Sequence, residues 1–443
     1  MAIRVGMASL GCPKNQVDGE MLLAKLVEAG YELTPDPYEA QVIIVNTCGF
    51  IEDAKQEAID TILELAQLKE EGCLQGLIVT GCLSERYRED MMISMPEVDA
   101  VVGIGRNINI VDIVEMVLKG KSRLGFFGEK NRLPLNGQRI LINPPHYAYI
   151  KISEGCNNRC AYCAIPAIRG EMRSRTIEDI VNEAETLAKE GVRELIVVAQ
   201  DTTRYGEDLY GSCELPRLLT RLCKVEGIEW IRILYAYPDR ITDALLQVMA
   251  NEEKIVKYLD LPIQHCNGEV LKAMNRPGNR QSLEGCIANI RATVPGIVIR
   301  STVMVGFPGE TQEQFEELCE FLGEVEIPRL GCFVFSPEEG TPAAKMEGQI
   351  AEEVGRHRQE VIMQQQFHIT SRFAGGLIGK TLTVLVDEYD YEREQFVGRT
   401  TFDAPDIDCK VYFTAPAATI GDFMQVEITH LEEFDYIGKA VEP

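Results

Sequence analysis

The sequence predicts an α/β protein with an N-terminal parallel α/β domain, a central partial (β/α) barrel and a small C-terminal all-β domain. Its 443 residues are enough for two or three domains. Apolar runs of strand length alternate with amphipathic helical stretches as far as about Phe335, which predicts parallel sheets. From Thr381 onward, short β segments replace this alternation. We therefore predict domains over residues 1–135, 142–373 and 376–443.

The N-terminal domain carries three cysteines in matching positions. Cys12, Cys48 and Cys82 each follow an apolar run of strand length, and each has a glycine beside it. The carboxyl ends of parallel strands lie on one edge of a sheet, so these thiols are expected to converge there. Three ordinary buried thiols are the alternative. The repeated position, together with the loop motif described next, favours an iron–sulfur cluster with one iron left open.

The central domain begins with Cys156, Cys160 and Cys163 on one short loop. Three thiolates can hold a 4Fe–4S cluster and leave one iron open for the amino and carboxylate groups of S-adenosylmethionine, whose reductive cleavage gives a 5′-deoxyadenosyl radical. A zinc knuckle or three core thiols are the alternatives. Structural zinc usually takes four protein ligands, and the next cysteine is Cys213. We predict that Tyr162 stacks on the adenine ring.

Six strands are predicted in the central domain, with helices such as Thr176–Glu190 and Thr311–Val325 between them. The strands are Tyr147–Ile152, Glu194–Ala199, Trp230–Tyr235, Tyr258–Ile263, Ile297–Gly306 and Leu330–Phe335. Barrels of parallel strands place their chemistry at the carboxyl ends of the strands. The cofactor contacts predicted on this basis are Gln200, Asp201, Gln264, Gly306, Gly309 and Glu310. Gln200, Asp201 and Gln264 could each equally be a solvated loop residue, and the turn from Gly306 to Glu310 is a weak signal by itself, since Gly–Pro turns before helices are common. Arg169, Arg173 and Arg175 could stabilise the cluster or a carboxylate, or lie on the surface.

The net charge of the chain restricts the kinds of macromolecule that it can bind. The formal net charge of −25 argues against a protein that tracks phosphates, and it suits a basic protein partner. Residues 376–443 contain 14 Asp and Glu but only 5 Lys and Arg. We interpret this acidic surface as a docking site for a basic protein in preference to plain solvation. A helix from Ala351 to about Phe373 precedes the predicted β segments, which are Thr381–Val386, Gln395–Thr400, Lys410–Phe413 and Phe423–Thr429.

The compartment is predicted to be the cytoplasm. Met1–Gly6 has the pattern of a first strand instead of a signal peptide, and no apolar run is long enough to span a bilayer. The 14 cysteines are therefore expected to be reduced. Eight of them lie outside the two sets and are predicted to pack in cores: Cys73, Cys213, Cys223, Cys266, Cys286, Cys319, Cys332 and Cys409.

Four motifs resemble the methylthiotransferases of the radical S-adenosylmethionine superfamily, and the resemblance covers nearly the whole chain. The motifs are Ser9–Asn15 (SLGCPKN), Asn46–Phe50 (NTCGF), Ile152–Asn157 (ISEGCN) and Ala199–Thr202 (AQDT). They are similar to the branch that acts on a ribosomal protein. The branch that modifies tRNA usually has Gln where Pro13 stands.

The resemblance implies a radical-generating 4Fe–4S cluster on Cys156, Cys160 and Cys163, an auxiliary 4Fe–4S cluster on Cys12, Cys48 and Cys82, and a C-terminal domain of the TRAM type. Two S-adenosylmethionine molecules would serve to methylate a sulfur and to remove hydrogen from the β-carbon of an aspartate in small-subunit ribosomal protein twelve. The expected partners are this basic protein and an electron donor such as flavodoxin or ferredoxin, without stable nucleic-acid binding.

Three other functions stay open at this stage. The chain could be a tRNA methylthiotransferase with the same chemistry, which tight, salt-sensitive tRNA binding would indicate. It could be a non-catalytic iron–sulfur protein, such as an electron carrier or assembly scaffold. It could also perform a sulfur insertion in which the auxiliary cluster is itself consumed.

Overall fold

The computed structural model describes residues 2–441. The start of the predicted first strand and the outer limits of the first and last predicted domains fall on Met1, Glu442 and Pro443, which lie outside the described residues. The described chain forms two compact units. The first contains the residues up to Ile142 together with Ser153–Arg175 and Ser336–Ala344, and the second contains Asn143–Ile152, Thr176–Phe335 and the residues from Lys345 onward.

The described residues contain strands and helices with the following limits. The strands are β1 Arg4–Ser9, β2 Glu32–Leu33, β3 Val42–Thr47, β4 Gly76–Gly81, β5 Ala100–Val102, β6 Leu124–Phe126, β7 Tyr147–Lys151, β8 Ser153–Glu154, β9 Arg173–Ser174, β10 Glu194–Val198, β11 Trp230–Ile233, β12 Ile255–Asp260, β13 Val298–Val305, β14 Arg329–Val334, β15 Thr381–Asp390, β16 Gln395–Thr400, β17 Val411–Thr414, β18 Phe423–Glu432 and β19 Asp435–Ala440. The helices are α1 Pro13–Glu28, α2 Glu52–Glu70, α3 Cys82–Ser94, α4 Ile110–Leu118, α5 Ile165–Arg169, α6 Ile177–Lys189, α7 Glu207–Tyr210, α8 Leu215–Leu222, α9 Asp243–Asn251, α10 Gly268–Ala273, α11 Arg280–Thr293, α12 Gln312–Val325 and α13 Glu352–Gly375.

The first unit is built around a parallel sheet of six strands in the order β2-β1-β3-β4-β5-β6. The central strands β3 and β4 are buried along their whole length, because helices cover both faces of the sheet. On one face Ile43 and Val79 pack with Ile62 of α2. On the other face Ile44 packs with Leu26 of α1. The predicted parallel α/β domain is thus confirmed, with β2, β5 and β6 added to the strands that precede the cysteines.

Two further segments belong to the first unit. The loop between β8 and β9 carries the second set of cysteines, although the sequence suggested that it belongs to the central domain. The segment Ser336–Ala344 is fixed by Glu338, whose carboxylate lies 2.8 Å from Arg86 Nη1 and 3.2 Å from Lys55 Nζ. The limits predicted for the three domains stay a prediction.

The second unit contains a parallel sheet in the order β7-β10-β11-β12-β13-β14. The strands follow one another in space as they do along the chain, and the sheet is open, so the predicted partial (β/α) barrel is confirmed. The fourth strand ends earlier than predicted, at Asp260 instead of Ile263. Pro262 lacks the N–H group that a ladder hydrogen bond needs, which limits the strand at this end.

The second unit also contains the small all-β domain, a closed barrel in the order β15-β16-β17-β19-β18. Its core includes Val384, Phe413 and Val426. The sequence did not predict β19, in which Gly438 interrupts the alternation of side chains. A Cβ atom at Gly438 would lie 2.6 Å from Val426 Cγ1, so the glycine permits close packing of the barrel wall.

Buried ion pairs hold this barrel against the parallel sheet within the second unit. Arg399 of β16 lies 2.7 Å from Glu194 of β10, and Arg232 of β11 lies 2.8 Å from the same carboxylate. Arg329 at the start of β14 lies 2.6 Å from Asp403. The pKa of Asp403 is raised above its usual value because the effect of burial outweighs the lowering effect of the positive Arg329. Further partners complete the network: Arg399 also lies 2.8 Å from Asp387, and the Thr400 hydroxyl donates to Asp403 at 2.5 Å.

We expect Arg329→Met to destabilise the second unit by roughly 3–5 kcal/mol, because it leaves the buried Asp403 charge without its partner. Urea unfolding followed by circular dichroism measures the change. The matched control is Arg372→Met, since Arg372 is 67% exposed in its pair with Glu326 and should contribute less than about 1 kcal/mol. Equal effects of the two substitutions would contradict the importance assigned to the buried pair.

One of the eight predicted core cysteines was assigned wrongly: Cys73 is exposed, because it lies in the turn after α2, outside the strand pattern. Cys223, Cys266, Cys332 and Cys409 are buried as predicted, and Cys213, Cys286 and Cys319 are partly buried. Within residues 2–441, no helix combines the length and the apolar composition that crossing a membrane requires.

Candidate functional site

The first cysteine set lies at one edge of the sheet in the first unit. Strands β1, β3 and β4 are parallel neighbours, and their ends are in register: Ser9 pairs with Asn46, and Thr47 pairs with Gly81. Cys48 and Cys82 directly follow β3 and β4, and Cys12 follows β1 after a short turn. The three thiols therefore share one sheet edge, as the sequence predicted.

The turn before Cys12 requires glycine. Gly11 has a φ of +87°, and a Cβ atom added to it would lie 2.5 Å from Cys48 Cβ and 2.9 Å from Cys48 Sγ. Any other side chain would occupy the space next to this thiol. Glycine thus lets the turn before Cys12 lie directly against Cys48.

Two buried asparagines fix the same turn. Asn15 Nδ2 donates to the carbonyl oxygens of Leu10, Asn46 and Thr47 at 2.9, 3.3 and 3.3 Å. Asn46 Nδ2 donates in return to the Asn15 carbonyl at 2.7 Å. Both asparagines lie in the motifs Ser9–Asn15 and Asn46–Phe50, although the sequence did not indicate their role. Their amides hold the Cys12 turn against the end of β3.

The pKa of Cys12 is shifted in the opposite direction to the pKa values of the other two thiols. Burial acts to raise the pKa of Cys12, but the positive Lys14 and Arg169, with the amide groups of Asn15 and Lys14, bring it below its usual value. Burial raises the pKa of Cys48, and it raises that of Cys82 to about 12. Cys12 precedes α1 and Cys82 begins α3, so the positive ends of two helices also face this edge.

In the metal-free protein we therefore expect iodoacetamide at pH 8 to modify Cys12 before Cys82. The thiolate is the reactive form, and of these two thiols Cys12 has the lowered pKa and is partly exposed. Peptide mass spectrometry at short reaction times measures the order. Faster labelling of Cys82 in folded protein would contradict the electrostatic description.

The second cysteine set lies on the loop that β8 and β9 close as an antiparallel pair. Cys160 is buried, whereas Cys156 and Cys163 are partly exposed, as is Tyr162 between them. The Cys156 amide donates to the Gly170 carbonyl at 3.1 Å, and the Asn158 amide lies 3.5 Å from Cys156 Sγ. The loop is thus folded back on itself around its thiols.

Arg169 at the end of α5 connects this loop to the first cysteine set within the first unit. Its Nη1 lies 2.5 Å from Asp18 Oδ2 and 3.0 Å from Glu154 Oε2. Its Nη2 lies 3.1 Å from Asn15 Oδ1 and 3.4 Å from Cys82 Sγ. Burial acts to lower the pKa of Arg169, but the surrounding negative groups raise it well above its usual value.

Both cysteine sets are all-thiol donor sets, a ligand type that suits iron–sulfur clusters. In residues 2–441, no three His, Cys, Asp or Glu side chains are grouped as ligands of one ion. The ligands of a 4Fe–4S cluster bind different irons and need not meet at one point. The thiol donors and the positive ends of α1 and α3 suit an anionic group at the first set.

Two predicted cofactor residues follow β10 in the second unit. Gln200 is partly buried and Asp201 is buried. Asp201 Oδ1 accepts hydrogen bonds from the amide and the hydroxyl of Thr203, at 3.0 and 2.5 Å. These bonds fix the turn after the strand. A cofactor contact from either residue stays a prediction.

The other predicted cofactor residues follow β12 and β13. Gln264 has a φ of +69°. Its backbone amide donates to the Thr302 carbonyl at 2.8 Å, and its carbonyl accepts from the Met304 amide at 2.7 Å, so the residue is hydrogen-bonded to β13. Gly306 is buried and Gly309 is exposed.

The Glu310 side chain, which is completely buried, has structural partners. Its carboxylate accepts from the Gly306 amide and lies 3.0 Å from Arg358 Nη1 and 3.4 Å from His265 Nε2. Glu310 therefore holds its own turn, and its predicted cofactor role remains a prediction.

Comparison with known proteins gives consistent results along the chain. Three family models match: the uncharacterized protein family UPF0004 over residues 4–103, the radical SAM superfamily over 150–322 and the TRAM domain over 378–441. The chain is 47% identical to the ribosomal protein uS12 methylthiotransferase RimO of Thermoanaerobacter sp. (strain X514), covering 98% of this chain and 99% of that protein. It is 48% identical to the protein of the same name from Pelotomaculum thermopropionicum, with full coverage of both.

Among solved structures, the chain is similar to the radical S-adenosylmethionine methyltransferase TsrM of Kitasatospora setae, with a TM-score of 0.56 and 14% identity over 77% of each chain. The fold and the cysteine loop thus define a radical S-adenosylmethionine enzyme. The chain belongs to the RimO family of methylthiotransferases. As a member of this family, it uses an iron–sulfur cluster and S-adenosylmethionine.

Proposed function

We propose that the chain methylthiolates the β-carbon of an aspartate in ribosomal protein uS12, using two S-adenosylmethionine molecules and two 4Fe–4S clusters. The observation that carries the proposal is the pair of three-cysteine sets in one compact unit of a chain that belongs to the RimO family throughout its length. One set is sufficient for generating a radical. The second set calls for a further function, which sulfur transfer supplies.

Cys156, Cys160 and Cys163 would hold the radical-generating cluster, and Cys12, Cys48 and Cys82 the auxiliary one. When bound, the clusters and S-adenosylmethionine supply the radical that removes hydrogen from an unactivated carbon and the place where sulfur is methylated. The chain's own residues bind and orient these groups. The Asn158 amide stabilises the Cys156 thiolate, and Asn15 fixes the turn that carries Cys12.

Cofactor binding by Tyr162 and by the strand-end residues is part of the same proposal. Gln200, Asp201 and Gln264 would supply side chains, and the turn from Gly306 through Gly309 to Glu310 would supply backbone groups. Their position past the carboxyl ends of parallel strands supports this assignment. The Glu310 carboxylate would act indirectly, by holding that turn in place.

The substrate is proposed to dock through charge. The C-terminal 68 residues hold 14 acidic and 5 basic side chains, which suits a basic ribosomal protein and disfavours stable nucleic-acid binding. We further propose a cytoplasmic location, where ribosomal proteins are modified and where a donor such as flavodoxin or ferredoxin can deliver electrons. The absence of a membrane-spanning helix from residues 2–441 supports this.

The deciding experiment offers uS12 and bulk tRNA together to the anaerobically reconstituted chain with S-adenosylmethionine and a reductant. A methylthio mass gain on an aspartate of uS12 is the expected result. The same gain on a tRNA adenosine would keep the chemistry and overturn the substrate, consistent with the TRAM match. Formation of 5′-deoxyadenosine with neither product would mean that the target lies elsewhere.

A further inference from the structure

Arg169 belongs to the loop between β8 and β9 that carries Cys156, Cys160 and Cys163, here called the radical loop, but its side chain contacts Cys82 of the other set. It is the last residue of α5, six positions after Cys163, and is 2% exposed. Cys82, which its Nη2 contacts, is 4% exposed and packs with Ala164 and Ile168 of the same loop. Inside a protein an electrostatic contact of this kind is much stronger than in water.

The two arms of the guanidinium have different partners. Nη1 faces the carboxylates of Asp18 and Glu154, which anchor the side chain. Nη2 faces Asn15 Oδ1 and Cys82 Sγ, both on the side of the first cysteine set. A purely structural ion pair would be complete with Nη1 alone. The second arm brings a positively charged N–H donor to within 3.4 Å of a thiol proposed to ligate iron.

We propose that Arg169 is a positioning residue of the auxiliary cluster, and that its hydrogen bond to the Cys82 sulfur raises the reduction potential of that cluster. The inference rests on the proposed function, which assigns Cys82 as a ligand. Reduction adds negative charge to a cluster, and hydrogen bonds to its sulfurs stabilise that added charge. Arg169 thus makes the radical loop part of the environment of the second cluster.

Arg169→Lys tests the inference with the least disturbance. Lysine keeps a cation for Asp18 and Glu154 but loses the planar fork whose second arm reaches Cys82. The matched control is Arg173→Lys, since the Arg173 guanidinium donates to the carbonyls of Asn131 and Leu133. Both are made in full-length Cys156→Ala/Cys160→Ala/Cys163→Ala protein, so that only the auxiliary cluster contributes to the spectrum.

The readout is the auxiliary-cluster potential, measured by redox titration with electron paramagnetic resonance. We expect Arg169→Lys to lower the ratio of reduced to oxidised cluster about tenfold at fixed potential, a shift of about 59 mV for one electron. Arg173→Lys should leave the midpoint unchanged. An unchanged midpoint in Arg169→Lys, or an equal shift in both variants, overturns the inference.

Other outcomes are also decisive. If the triple-alanine background assembles no cluster although Arg169 is intact, the proposed auxiliary site itself fails, and the inference fails with it. If only Arg169→Lys fails to assemble a cluster, the background is labelled with guanidino-¹⁵N arginine and examined by pulsed electron paramagnetic resonance. A ¹⁵N coupling to the reduced cluster supports the hydrogen bond, and its absence overturns the inference.

Discussion

Cys12→Ala should reduce the yield of the methylthio product at least about 100-fold, while 5′-deoxyadenosine is still formed. The thiol of Cys12 is the one in its set with a lowered pKa, so it is the best prepared of the three to bind iron as thiolate. Its loss leaves Cys48 and Cys82, which burial keeps protonated. The radical loop retains all of its own cysteines. The measurement is mass spectrometry of uS12 alongside chromatography of 5′-deoxyadenosine.

Cys73→Ala is the matched control for Cys12→Ala. It also removes one thiol from the first unit, but Cys73 is exposed and lies outside both sets. Both products should form at the level of the unchanged chain. Methylthio product from Cys12→Ala protein would rule out the auxiliary-cluster role assigned to this residue.

Cys160→Ala should abolish both 5′-deoxyadenosine formation and methylthiolation. Cys160 is the buried member of the radical set, and its carbonyl accepts the Cys163 amide at 3.1 Å, so the two ligands are held by one turn. Two thiolates cannot hold a three-ligand cluster with an open iron for S-adenosylmethionine. Chromatography of the nucleoside product after reduction measures the loss.

Cys319→Ala is the control for Cys160→Ala, since Cys319 is a partly buried thiol of α12 in the second unit. It should retain cleavage. The iron content of the two proteins supplies a second readout: Cys160→Ala should lose about half of the iron, and Cys319→Ala none. Undiminished cleavage by Cys160→Ala protein would remove this residue from the radical site.

The sequence predicted those parts of the fold in which one physical pattern dominates. The strands before Cys48 and Cys82 are uniformly apolar because helices cover both faces, and the structure confirms them as β3 and β4. Strand β2 has two residues and β5 has three, too few for a periodic pattern to appear. Their pairing depends on neighbouring strands that are distant in sequence.

The candidate site shows the same division. The loop set was predicted from its spacing, which is a local property of the chain, and the first set was predicted from the repeated position of its cysteines after apolar strands. The partners of Arg169 could not be predicted, since Asp18 is 151 residues away and Cys82 is 87 residues away. Glu310 illustrates the opposite difficulty: its position after a strand suggested a cofactor contact, and only the structure reveals its contacts with Arg358 and His265.

The closure of the C-terminal barrel limits how a partner can bind to it. Strand β15 pairs with β16 and β18, β17 pairs with β16 and β19, and β18 pairs with β19, so each strand of this barrel has a neighbour on both sides. A polypeptide cannot extend such a barrel by β-augmentation, which requires a row of free backbone amides and carbonyls. Selectivity for a partner must then come from side chains and connecting loops. These can change during evolution without disturbing the hydrogen-bonded wall beneath them.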